Sequence, residues 1–118
     1  MVPKVAIVDD DQAVRESLRL LLNIMGYRAE AFGSAAAFLA ADVRGFACLI
    51  LDHHMPKMTG LQLAEQLRAD GNPLPIMLIT GSPSLDITSR AAELGIAKVL
   101  EKPPSEDDLS GFIEASRG

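Results

Sequence analysis

Three carboxylates in a row, Asp9-Asp10-Asp11, follow a short apolar run over residues 5–8. Asp52 follows another at 47–51, Thr80-Gly81 follows 74–79, and Glu101-Lys102-Pro103-Pro104 follows 97–100. Taken singly, each has a plain explanation. An aspartate after a strand usually caps a helix or forms a turn, a threonine is an ordinary strand residue, and a lone lysine is a solvated charge. Asp11 keeps the capping role. Brought jointly to one edge of one sheet, Asp9, Asp10 and Asp52 would crowd together opposite a hydroxyl and an ammonium. Like charges so close repel and raise one another's pKa. A fold retains such a cluster when a cation offsets it. Hard carboxylate oxygens with open positions suit Mg²⁺, which keeps waters and bridges to phosphate oxygens.

The segments between these residues must bring them together. Five short apolar runs, at 5–8, 27–32, 47–51, 74–79 and 97–100, read as strands. Four are nearly continuous, as in parallel strands covered on both faces. The run Tyr27-Arg28-Ala29-Glu30-Ala31-Phe32 alternates, which suits an edge. Helical patterns separate them. Val14, Leu18, Leu21, Leu22 and Met25 form one stripe, with Asp11 as cap and Gly26 as stop. Ser34 opens a short helix through Leu39, and Leu61, Ala64 and Leu67 mark a third that stops near Gly71. Ser82-Pro83 reads as the start of a fourth, with proline at its first position, Ile87, Ala91 and Leu94 on its apolar face and Gly95 closing it. Ser105-Glu106-Asp107-Asp108 resembles a capping box ahead of Leu109, Phe112 and Ile113. Strand and helix thus alternate five times, the pattern of an α/β doubly wound parallel sheet. Residues 1–118 read as a single domain with no linker or repeat. Ligands of such sheets bind beyond the carboxyl ends of the strands, where the residues above lie.

Composition narrows the chemistry. The formal net charge of −5 and pI near 4.9 argue against direct nucleic-acid binding or an anionic membrane. No apolar run approaches the ~20 residues of a membrane span, and no signal peptide is evident, so a cytoplasmic location is expected. Cys48, the single cysteine, lies in an apolar run and reads as a buried thiol in a reducing compartment. Three carboxylates occupy the place where nucleotide folds carry a glycine-rich phosphate loop, and neither GxGxxG nor GxxxxGK[ST] occurs. His53 and His54 are adjacent on a loop, and neighbours of that kind rarely ligate one ion with both rings.

Along its whole length the chain resembles a response-regulator receiver domain of two-component signalling. The resemblance rests on Asp9-Asp10, on Asp52-His53-His54-Met55-Pro56-Lys57-Met58-Thr59-Gly60, on Thr80 and on Lys102-Pro103. The segments Ile79-Thr80-Gly81 and Glu101-Lys102-Pro103 resemble receivers of the NarL/FixJ and NtrC types. It implies a flavodoxin-like (βα)5 sheet in the order 2-1-3-4-5. It further implies that Asp52 is the phosphoacceptor, taking a phosphoryl group from the phosphohistidine of a sensor histidine kinase or phosphotransfer protein. Mg²⁺ would be held by Asp10, Asp52 and the backbone carbonyl of His54, with Asp9 acting through water. Thr80 and Lys102 would contact phosphoryl oxygens, and Gly81 would leave room beside them. A cis peptide before Pro103 would aim Lys102 inward, and His54 would tune phosphoryl lifetime. The switching region would comprise Thr80, Gly81, Val99, Lys102 and Pro103. The face of the fourth helix, fifth strand and fifth helix would be read by an effector domain or by a second copy in a homodimer. Such a domain is not an enzyme beyond its own phosphorylation and dephosphorylation.

One position departs from the family. Receivers usually carry Tyr or Phe three residues before the lysine, and here that residue is Val99. A valine cannot swing between buried and exposed positions over the same distance, so a backbone or fourth-helix displacement is expected instead. Two alternatives stand beside the receiver reading. Residues 5–11 formally fit the start of a haloacid-dehalogenase-like phosphatase with Asp9 as nucleophile and Asp11 as acid, although that motif leaves the Asp52 segment unexplained. A pseudo-receiver, a binding module that never becomes phosphorylated, is the other.

Overall fold

Alternation along the central strands divides the apolar side chains between two helical layers. The computed structural model describes residues 2–117. The elements are β1 (Lys4–Val8), α1 (Gln12–Ile24), β2 (Arg28–Phe32), α2 (Ala35–Leu39), a 3₁₀ turn (Val43–Gly45), β3 (Cys48–Asp52), α3 (Gly60–Ala69), β4 (Ile76–Thr80), α4 (Leu85–Glu93), β5 (Lys98–Glu101) and α5 (Glu106–Arg117). All five strands pair in parallel in the order β2-β1-β3-β4-β5. This is the doubly wound, flavodoxin-like (βα)5 arrangement expected from the alternation of runs and helices.

On one face Ala6, Val8, Leu49, Leu51, Ile76 and Leu78 pack with Phe38 of α2 and with Leu63, Ala64 and Leu67 of α3. On the other, Val5, Ile7, Cys48, Ile50, Met77 and Ile79 pack with Leu18 and Leu22 of α1 and with Leu109, Phe112 and Ile113 of α5. Residues of β1, β3 and β4 are therefore apolar at successive positions because both faces are covered. Cys48 is buried as expected, and burial pushes its thiol up to about 12, so it is inert.

The caps follow the sequence at α1, α2 and α5. Asp11 accepts from the amides of Ala13 and Val14, and Ser34 from that of Ala37. Ser105 and Asp108 exchange side-chain-to-amide bonds. Thr59 and Gln62 form a full capping box on α3. At α4 the start differs. The cap is Ser84, whose hydroxyl accepts from Ile87, so Ser82-Pro83 lies before the helix and Pro83 is not its first residue. Ser82 is held elsewhere: its amide donates to the Thr80 hydroxyl at 3.1 Å. Strand β5 also differs from its reading as a continuous buried run. It is the second edge of the sheet, shifted one residue onward, with Lys98 and Glu101 exposed. Tyr27 stands just outside β2 and donates its hydroxyl to Glu114 of α5 at 2.6 Å. No helix among the described residues is long and apolar enough to cross a membrane.

Candidate functional site

Because the sheet is wholly parallel, the last residues of β1, β3, β4 and β5 reach the same edge. Val8 pairs with Leu51, Asp52 with Ile79 and Thr80 with Glu101, which puts Asp9, Asp52, Thr80 and Lys102 side by side at or just beyond the strand ends. Asp9, Asp52 and Thr80 are the buried polar side chains among the described residues, while Asp10 is exposed. Asp9, Asp10 and Asp52 each offer one carboxylate oxygen within 4.8 Å of the others.

The Lys102 ammonium stands 3.0 Å from Asp52 Oδ1 and 3.3 Å from Asp9 Oδ2. Its position follows from the backbone: the Lys102 amide donates to the Thr80 carbonyl, and the Lys102–Pro103 peptide is cis. Asp9 is fixed from several sides. Its Oδ1 accepts the Asp11 amide, its own amide donates to the Phe32 carbonyl, and its carbonyl accepts from Arg15 at 2.9 Å. Arg15 was not singled out by sequence; its guanidinium lies over Gly33, where an added Cβ would come within 3.1 Å of it.

Burial is the main influence raising the Asp9 pKa. The Asp11 amide opposes it, Asp52 adds repulsion, and Lys102 offsets part. For Lys102, burial is the largest single influence and pulls the pKa down. The two carboxylates together outweigh it and hold the ammonium above its ordinary value. His53 is lowered, first by burial and then by His54, with Asp52 opposing.

The loop after Asp52 is tightly folded. The His53 amide donates to the Ile79 carbonyl, and the His53 carbonyl accepts from both Met55 and Gly60. Lys57 takes a positive φ of 70°. Gly60 sits so close that a Cβ would lie 2.6 Å from the Asp52 carbonyl oxygen and 2.8 Å from Leu78. Glycine is required there to let α3 begin against the Asp52 backbone. A Cβ at Gly81, by contrast, would meet nothing within 4 Å. The His54 ring leans across to β4, with Nε2 2.7 Å from Thr80 Oγ1.

The donor set fits a hard divalent cation. Three carboxylates converge, and Asp52 Oδ1 is buried without a partner in hydrogen-bond geometry, the ammonium of Lys102 being its near charge. Such an oxygen is satisfied by a metal ligand bond or a new covalent partner. The histidine rings contribute nothing comparable: His53 and His54 stack edge to face with centroids 5.0 Å apart rather than converging on a point.

Comparison with known proteins agrees with this geometry. The family model for the response regulator receiver domain matches residues 5–114. The transcriptional regulatory protein FixJ of Azorhizobium caulinodans is 39% identical over 117 residues, covering 97% of this chain and 54% of its own. The response regulator protein TmoT of Ectopseudomonas mendocina is 41% identical over 112 residues, covering 93% of this chain and 50% of its own. The chain thus spans about half the length of these relatives. Among solved structures, FixJ-N superposes with a TM-score of 0.87 at 33% identity, covering 98% of this chain and 94% of that one. The response regulator StyR gives 0.88 at 40% identity, covering 98% and 59%. The solved relatives share the fold, and the phosphatase alternative gains no support from them. By its fold, its strand-end residues and the family match across residues 5–114, the chain belongs to the response regulator receiver domains of two-component systems.

Proposed function

We propose that Asp52 accepts a phosphoryl group from a phosphohistidine and that this switches the surface built by α4, β5 and α5. The observation that carries the proposal is the buried Asp52 carboxylate, ringed by Asp9, Asp10 and Lys102 at the edge where Thr80 ends β4. An oxygen of Asp52 attacks phosphorus, the P–N bond to the donor imidazole breaks, and its electron pair leaves with the imidazole. The product is an acyl phosphate. Asp10, Asp52 and the His54 carbonyl would hold Mg²⁺, with Asp9 acting through water. Among the described residues no hydrogen bond uses the His54 carbonyl, while that of His53 is taken twice. An ion held there would supply positive charge against the phosphoryl oxygens. Lys102 acts as a point charge toward one of those oxygens, and Thr80 donates its hydroxyl to another. Open space at Gly81 accommodates the group.

Receiver domains are not enzymes in the ordinary sense. The chemistry is the chain's own phosphorylation and dephosphorylation. The donor is a sensor histidine kinase or phosphotransfer protein in the cytoplasm. The reader of the switched face is an effector domain in the same chain or a second copy.

Switching without an aromatic residue at position 99 calls on α4. Val99 is half-buried, and Ala91 is the sole buried residue of α4. The helix is tied to α3 by polar contacts: Arg68 donates to the Leu94 carbonyl, and Arg90 pairs with Glu65 at 3.3 Å. A helix so lightly packed moves at small expense.

Incubation with Mg²⁺ and a small phosphodonor, read by intact mass, tests the proposal. Wild type should gain one phosphoryl group and Asp52→Asn none. Equal uptake by both, or uptake by neither, would contradict it; the second result would instead favour a pseudo-receiver.

A further inference from the structure

Thr80 is wholly buried, and its hydroxyl has two partners among the described residues. The Ser82 amide, 3.1 Å away, donates and so fills one lone pair of Oγ1. The other partner is His54 Nε2 at 2.7 Å. A threonine hydroxyl owns one proton. If the imidazole donated, both lone pairs would be filled and that proton would be left buried and unbonded, at the full desolvation cost of a donor. The arrangement is satisfied when Nε2 accepts the threonine proton and the imidazole carries its own proton on Nδ1. His54 is exposed, so Nδ1–H can reach water and the ring can swing out without opening the core.

We propose that the His54 side chain is a latch on Thr80: in the unphosphorylated chain it takes the hydroxyl proton that a phosphoryl oxygen must claim, so the two compete for one donor. This rests on Asp52 being the phosphoacceptor. It gives the imidazole a positioning role separate from that of the His54 carbonyl. Nothing in the local sequence carries the contact, since the two residues lie 26 apart and meet because β3 and β4 are neighbours.

Beryllofluoride with Mg²⁺, standing in for the phosphoryl group, provides the test. Binding is followed through the Ser82 amide resonance in wild type and in three variants. His54→Ala removes bond and bulk, and His54→Phe keeps a ring without an acceptor. Both should bind roughly fivefold tighter than wild type, the worth of one net hydrogen bond. His54→Gln, whose amide oxygen can take the place of Nε2, should return the affinity toward wild type. In the unliganded wild type, long-range ¹H–¹⁵N spectra should show the His54 ring protonated on Nδ1 and bare at Nε2. Unchanged or weaker binding in His54→Phe, or a ring protonated on Nε2, overturns the latch while leaving the Asp52 reading intact. Failure of wild type and every variant to bind beryllofluoride overturns both.

Discussion

Asp9 and Lys102 couple the site to pH in opposite parts of the scale. The folded pKa of Asp9 is raised above 3.8, mainly by burial. Its favourable contribution to stability is therefore full below that value and is lost as pH rises through the raised one. Lys102 is raised above 10.5, so what it contributes is intact at neutral pH and is lost only as pH climbs through its folded value. Above its raised pKa the metal-free chain thus holds an ionised Asp9 at some expense. Metal-free Asp9→Asn should be more stable than wild type at neutral pH, with the gap closing as pH falls toward 3.8. Urea midpoints across that range measure it. A variant less stable than wild type at neutral pH would contradict the assignment. At this scale the acids, Thr80 and Lys102 were legible because each stands within two residues of the end of an apolar run. The His54 ring was not, because its contact to Thr80 depends on how β3 and β4 align, and neither was Arg15, whose bond to the Asp9 carbonyl depends on how α1 folds back on the end of β1. Gly60 was visible as part of a motif, but its reason, the 2.6 Å approach to the Asp52 carbonyl, belongs to the packed state.

Elements were read well where a single capping residue stood before a clear stripe. Asp11, Ser34 and Ser105 are such cases. The fourth helix offered two serines flanking a proline, and proline at a first helical turn favoured the earlier one. What sets the outcome is a local bond at the end of β4: Thr80 Oγ1 holds the Ser82 amide, leaving Ser84 to accept from Ile87. Ser84→Ala should therefore lower stability by about 1 kcal/mol through loss of a cap, whereas Ser82→Ala keeps its amide bond and should change little. Denaturant midpoints of the two variants decide the matter, and the reverse order would place the cap at Ser82. Strand β5 was misread as buried for a related reason. Its apolar content resembles that of the central strands, and only the strand order puts it at an edge.

For the whole molecule, the helices are unequally held. The long helices α1, α3 and α5 are anchored by Leu18 and Leu22, by Leu63, Ala64 and Leu67, and by Leu109, Phe112 and Ile113, whereas α4 buries Ala91 alone. Such asymmetry locates the yielding part of the fold beside Thr80. Addition of beryllofluoride and Mg²⁺ should change hydrogen exchange in α4 and displace the backbone between Thr80 and Val99. Liganded and unliganded structures that superpose through those residues would rule the displacement out. All of this depends on where the phosphoryl group is carried. The most direct measurement is chemical: phosphorylate the chain with Mg²⁺ and a small phosphodonor, reduce the acyl phosphate with borohydride, and locate the resulting homoserine by peptide mass. Homoserine at position 52 and at no other aspartate is the expected result. Homoserine at Asp9 or Asp10, or none in a chain that had gained a phosphoryl group, would contradict the central claim.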